Sequence, residues 1–148
     1  MLILKLLEKI DFFSEFTDEE RALFAGDGTF LVNYEGGEYI VKEGVKDDGG
    51  LYVLLKGTVL ITKNDFPTMV VNIMGEGDII GEASFLSRQA RTATAMAKDD
   101  VTVFKVDRKS LENLECPLQL KIKNLLFEII ITRLNNTNNT LMSMLKTC

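Results

Sequence analysis

Gly81-Glu82-Ala83-Ser84-Phe85-Leu86-Ser87-Arg88-Gln89-Ala90-Arg91-Thr92-Ala93-Thr94-Ala95 is the stretch on which the reading of this chain turns. It sets one carboxylate, Glu82, and one guanidinium, Arg91, nine positions apart in a run of small residues between two apolar segments. Arginine presents a planar fork of donors that matches phosphate oxygens. The amides that follow Glu82, if they open a short helix, aim donors and a partial positive charge at the same anion. Glu82 is able to accept from a sugar hydroxyl. Ala83, Ser84, Ala90 and Ala93 are small enough for the backbone to approach a ligand closely.

Working outward, the neighbouring segments are equally patterned. Glu43-Gly44, Leu51-Tyr52-Val53-Leu54-Leu55-Lys56-Gly57-Thr58-Val59 and Gly75-Glu76-Gly77-Asp78-Ile79-Ile80-Gly81-Glu82 are short apolar runs punctuated by glycine and acid. Upstream lies Leu7-x-x-Ile10-x-x-Phe13-Ser14-x-Phe16-Thr17-Asp18-Glu19-Glu20. From about Leu6 to about Leu134 these blocks resemble, in order, those of the cyclic-nucleotide-binding domains. Such domains are found in bacterial cAMP receptor proteins, protein kinase A regulatory subunits and cyclic-nucleotide-gated channels. The opening stretch resembles the family's phosphate-binding cassette. The resemblance implies that Glu82 meets the ribose 2′-hydroxyl, Arg91 the cyclic phosphate, and Thr92 phosphate or base. Gly81, Ala83, Ser84 and Ala93 would complete the cradle through their backbone. Val71, Ile73 and Leu86 are the expected apolar contacts of the base, and Asn136 and Thr137 its expected polar contacts from the C-terminal helix. Two departures, Ala83 for a bulkier apolar residue and Ala90 for a frequent proline, bear on tightness and selectivity.

The fold class expected is mostly β with flanking helices: a double-stranded β-helix (jelly-roll) barrel, a short N-terminal helical lead-in and a C-terminal helix. The expected division is residues 1–27 as lead-in, 28–107 as β core and 108–148 as C-terminal helices. Thr17-Asp18-Glu19-Glu20 is a capping box. Strands are expected at Thr29–Tyr34, Tyr39–Val41, Leu51–Lys56, Val59–Lys63, Thr68–Met74, Thr92–Ala97 and Val101–Val106, their spacing suited to a jelly roll. Gly57 is expected in a tight hairpin between two of them, and Gly44 and Gly77 at positive-φ turns. Asp107 should cap a short helix to Leu114. A longer helix follows from Pro117 to Leu134, with Leu118, Ile122, Leu125 and Ile129 on a broad apolar face. Asn135–Thr140 is poor helix-forming sequence that ends or continues it.

Composition bounds the function classes. The chain has 148 residues, 46% apolar and 26% charged, with a formal net charge of −5. That suits one globular domain and argues against a stand-alone nucleic-acid binder. It has no histidine, which removes the commonest general base and zinc ligand. A metal-dependent enzyme on a related jelly roll is thereby disfavoured, so no catalytic residue, metal or cofactor is expected. Cys116 and Cys148 lack metal-site spacing and imply no disulfide framework, so a cytoplasmic location is expected. No segment approaches the length of a membrane span. The expected function is a cyclic-nucleotide (cAMP or cGMP) sensor that passes its signal through the C-terminal helix to a protein effector, with a homodimer formed by that helix. The alternative is a ligand-free relative serving as a dimerisation or docking module. With the stretch after Asp107 this short, no helix-turn-helix reader, kinase or pore is expected.

Overall fold

The computed structural model describes residues 2–26 and 28–146, with the side chains of Leu2, Pro67 and 137–146 outside the description. It comprises two compact units, Met1–Ser110 and Leu111–Cys148.

In the first unit, helix α1 (Leu2–Lys9), a 3₁₀ turn (Asp11–Glu15) and helix α2 (Asp18–Gly26) lead into the strands. The capping box forms as read: Thr17 N–H donates to Glu20 Oε1 at 2.8 Å, and Glu20 N–H to Thr17 Oγ1 at 3.1 Å. Phenylalanines fasten this lead-in to the sheet. Phe13 and Phe24 are fully buried and meet Phe104 edge-on, with ring centroids 5.0 and 4.9 Å apart.

The strands are β1 (Leu31–Tyr34), β2 (Tyr39–Val41), β3 (Leu51–Lys56), β4 (Val59–Lys63), β5 (Phe66–Met74), β6 (Ile79–Ile80), β7 (Thr94–Ala97) and β8 (Val101–Val106). They form two antiparallel sheets in the orders β1-β8-β3-β6 and β2-β7-β4-β5. The pairings nest: β4 with β5, β3 with β6, β2 with β7, β1 with β8. This is the jelly-roll arrangement. Among the described residues no ladder joins one sheet to the other, so the jelly-roll core is two facing sheets. Val41, Val59, Ala95 and Ala97 of one sheet pack with Tyr52, Leu54, Val101 and Val103 of the other.

Gly57 does not serve a hairpin. β3 and β4 belong to different sheets, and Gly57 lies where the chain crosses between them. Its φ is +94°, and an added Cβ would collide with Asp100 O and stand 2.9 Å from Asp99 Oδ1. The two-residue strand β6 was not foreseen. Five further connections, β1–β2, β2–β3, β5–β6, β6–β7 and β7–β8, also pass from one sheet to the other.

Between β6 and β7 lies helix α3 (Glu82–Ser87), and after β8 comes helix α4 (Arg108–Glu112). Asp107 caps α4, its Oδ1 accepting from Ser110 N–H at 2.7 Å.

The second unit is dominated by helix α5 (Cys116–Lys146), which continues through the Asn/Thr-rich run. Its faces differ from expectation. Leu118, Ile122 and Leu126 are buried, with Leu125 and Ile129 half-buried. The exposed apolar stripe is instead Leu120, Phe127, Ile131 and Leu134, each 55–59% exposed. Asn136 is an exposed residue of this helix, and the side chain of Thr137 lies outside the described residues.

Candidate functional site

The two crossovers β2–β3 (residues 42–50) and β6–β7 (residues 81–93) meet around Arg91. Its backbone is clamped to the first: Gly44 N–H donates to Arg91 O at 2.8 Å, and Arg91 N–H donates to Val45 O at 3.0 Å. This clamp holds Arg91 and Thr92 in the loop, so β7 starts at Thr94 rather than at Thr92.

The Arg91 side chain is held as firmly. Its Nε donates to Asp47 Oδ1 and Oδ2, both at 3.1 Å, and Nη2 donates to Gly50 O at 2.9 Å. Nη2 also stands 2.9 Å from Asp47 Oδ1, and the guanidinium carbon is 5.7 Å from the centre of the Tyr52 ring. Arg91 is 4% exposed, a depth at which a cation requires partners. Yet Nη1 is buried with no hydrogen-bond partner. It lies against Gly81, where an added Cβ would collide with it and stand 2.8 Å from Gly50 O. Gly81 has a φ of +86°, the left-handed region that favours glycine.

A pocket opens here, lined by Gly81, Glu82, Ala83, Ser84, Arg91, Thr92 and Ala93, with Val41, Ile61, Ile80, Thr94 and Ala95. One carboxylate, one cation with an unspent donor, and the first-turn amides of α3, which no preceding turn can bond, thus share one cavity with an apolar wall. That set accepts an anion and a hydroxyl side by side. Ser84 is buried, and its hydroxyl donates to Ala90 O at 3.4 Å, tying the two ends of the loop. Thr92 is exposed at the rim, its carbonyl accepting from Lys63 Nζ at 2.7 Å.

Three expected contacts are not in this pocket. Val71 and Ile73 are 46% and 60% exposed, and Leu86 is half-buried elsewhere on α3. In the β4–β5 register Ile61 pairs with Asn72 and Leu60 with Ile73. Paired residues share a face, so the pocket side is that of Ile61 and Asn72, and Ile73 takes the other. A register shift between Ile61 and Thr62 leaves Val71 without a direct opposite. Ile61 lines the pocket on that side instead.

The sequence reading also passed over Asp47, Gly50 and Tyr52. Asp48-Gly49-Gly50 reads as a turn, and the turn forms with Asp47 as well: Gly49 N–H donates to Asp47 Oδ1 at 2.8 Å and Gly50 N–H to Asp48 Oδ1 at 3.0 Å. The available signal was the need of a buried arginine for a carboxylate. Burial raises the pKa of the Tyr52 phenol, with the nearby Tyr34 and Asp48 adding to the rise; Tyr34 is likewise raised by burial. Burial works to raise Asp48 too, but hydrogen bonds from Lys105 and Gly50, with the charges of Lys105 and Arg91, outweigh it and hold the carboxyl below its ordinary range.

Among the described residues no group of histidine, cysteine or acidic side chains is placed to hold a metal ion, and no helix is long and apolar enough to cross a membrane. The chain is 31% identical over 116 residues to the cGMP-dependent protein kinase egl-4 of Caenorhabditis briggsae, a match covering 76% of this chain and 15% of the kinase. It thus spans a small part of that relative's length. Among solved structures it is similar to PKAR CBD2 bound to Sp-2Cl-cAMPS, at 25% identity and a TM-score of 0.67, covering 97% of this chain and 89% of that one. It is also similar to the regulatory subunit of a cAMP-independent protein kinase A from Trypanosoma brucei, at 25% identity and a TM-score of 0.69, covering 97% and 48%. The model of the cyclic nucleotide-binding domain matches residues 31–115, more than half of the chain. This protein belongs to the cyclic nucleotide-binding domain family, whose members are regulatory binding modules.

Proposed function

We propose that this chain is a cyclic-nucleotide sensor whose site takes cAMP or cGMP and whose signal passes through α5 to a protein partner, without a catalytic step of its own. The observation that carries the reading is the unpartnered Nη1 of a 4%-exposed Arg91, set against Gly81 in the pocket. A cyclic phosphate oxygen would supply the missing acceptor, the first-turn amides of α3 would meet a second oxygen, and Glu82 would accept from the ribose 2′-hydroxyl. The cavity is small, about 100 Å³, so it suits the phosphate and sugar end, with the base along Val41 and Ile61. Titration calorimetry with cAMP, cGMP and linear 5′-AMP tests this. Saturable binding of a cyclic form with much weaker binding of the linear one is expected, and equal affinity for both forms would reject the site assignment.

A second reading, a ligand-free docking module, draws on the ties of Arg91 to Asp47 and Gly50, which hold it in place without ligand. The likeness to the trypanosome subunit is in keeping with it. It predicts no heat with either cyclic nucleotide.

The partner surface we propose is the exposed stripe of α5, used to form a homodimer. Leu120, Phe127, Ile131 and Leu134 fall at alternating heptad positions, with Asn124 in the same seam. In a parallel pair Lys123 of one copy would face Glu128 of the other. Phe127→Glu with Ile131→Glu should turn a dimer into a monomer by sedimentation, and a wild-type monomer at high micromolar concentration would remove this surface from the proposal.

A further inference from the structure

The direction of Arg91 Nη1 depends on residues outside the pocket. A guanidinium is planar, so holding Nε and Nη2 fixes where Nη1 points. The two acceptors are the Asp47 carboxylate and the Gly50 carbonyl, both on the turn Asp47–Gly50. That turn contains two successive glycines, and Gly49 has a φ of +69°. Glycines give a turn little stiffness of its own. Its own bonds run through the Asp47 and Asp48 carboxylates, so its shape depends on how those side chains are held.

The brace comes from β8. Lys105 Nζ donates to Asp48 Oδ2 at 2.6 Å. Its stem lies against Gly50, where an added Cβ would fall 2.7 Å from Lys105 Cε. Nζ stands 5.5 Å from the centre of the Tyr52 ring, the ring that also flanks Arg91. Lys105 pairs opposite Tyr52 in the β3–β8 register, and its own N–H donates to Phe30 O at 2.7 Å. The lysine therefore stands on a well-fixed strand and touches the turn twice, by charge at Asp48 and by packing at Gly50. From there one residue carries the link onward, since Gly50 N–H is held by Asp48 and Gly50 O holds Arg91.

We infer that Lys105 is a positioning residue for Arg91, acting through Asp48 and the Asp47–Gly50 turn to keep Nη1 facing the pocket; the inference rests on the reading of Arg91 as the phosphate-binding group. A surface ion pair of purely structural value would leave Arg91 and the affinity of the pocket unmoved.

The experiment compares wild type with Lys105→Met, Lys105→Arg, Arg91→Lys and the Arg91→Lys/Lys105→Met double variant. The first readout is the ¹⁵N NMR signal of the Arg91 Nε–H in the ligand-free protein, assigned by its loss in Arg91→Lys. The second is the calorimetric affinity for cAMP and cGMP. Lys105→Met should broaden or abolish the Nε–H signal and weaken binding about threefold to tenfold, while Lys105→Arg recovers both. In the Arg91→Lys background, Lys105→Met should change affinity less than about twofold, because the group it positions is gone. An unchanged Nε–H signal in Lys105→Met, or the same loss of affinity in both backgrounds, overturns the inference. If wild type binds neither nucleotide, the functional reading fails, and the NMR signal still decides whether Lys105 braces Arg91.

Discussion

Arg91→Ala separates two things that the wild-type side chain does at once. In the ligand-free protein it removes the bonds to Asp47 and Gly50. The arginine side chain is 2% exposed, but that of Asp47 is 30% exposed, so the orphaned carboxylate regains water more easily than one sealed in a core. The stability loss should fall below the usual cost of breaking a buried pair, at about 1–3 kcal/mol. Binding should suffer more, because a phosphate would enter with no cation to meet it. About 2–5 kcal/mol is expected, or roughly thirtyfold to several thousandfold in affinity. Calorimetry with both cyclic nucleotides reads the second effect and thermal melting reads the first. Arg88→Ala is the control: Arg88 is exposed at the end of α3, outside the pocket, and affinity should stay within about twofold. Equal weakening by the two substitutions, or wild-type affinity in Arg91→Ala, would refute the placement of the phosphate.

Gly57→Ala should destabilise by about 2–5 kcal/mol, combining a positive φ with overlap on Asp100 O; Gly44→Ala, with open space and only its φ of +81°, should cost about 1–2 kcal/mol, and equal melting shifts would contradict the crossover geometry. Arg88 holds a φ of +61° without being glycine, so Arg88→Gly should raise the melting temperature, and a lowered one would contradict strain at that position. Asp48 titrates below its ordinary range in the fold, so its contribution is present above the unfolded carboxylate value, about 3.9, and disappears as pH falls through the lower folded value. The melting difference between wild type and Asp48→Asn should therefore shrink on acidification below about pH 4, and a difference independent of pH would be evidence against the Lys105 pair.

What could be read in advance followed from strong local signals. Val59–Lys63 and Val101–Val106 are short runs rich in β-branched residues that end at turn residues, and both strands form as read. Thr17–Glu20 and Asp107 carry caps whose chemistry is local. The loop from Gly81 to Ala93 concentrates most of the expected site residues in one segment, so their gathering around one pocket was legible. What depended on distant partners was not. Gly57 looks like a hairpin until β3 is seen to pair with β8 and β6 rather than β4. Ile79–Ile80 is too short to show a period between Asp78 and Gly81. Val71 and Ile73 alternate along β5, but the pairing with β4 sets Ile73 opposite Leu60, away from the pocket side, and a register shift leaves Val71 without a direct opposite. Asn135–Thr140 is weak helix former by propensity, and an ongoing helix carries through it because propagation costs less than nucleation. Asp47 looked like any turn acid because nothing local says that a buried arginine will reach it.

The nested pairing of the strands also has a kinetic consequence. β4 and β5 are neighbours in the chain, and each later pair closes around one already formed, out to β1 with β8. Loop closure favours the inner hairpin first and the most distant strands last. The pocket is made from the crossovers β2–β3 and β6–β7, so it exists only after the middle pairs have closed and the two sheets face each other. A molecule that binds there has nothing to hold in the early, partly paired chain. It should therefore slow the rate at which the protein comes apart while leaving the rate at which it folds almost untouched.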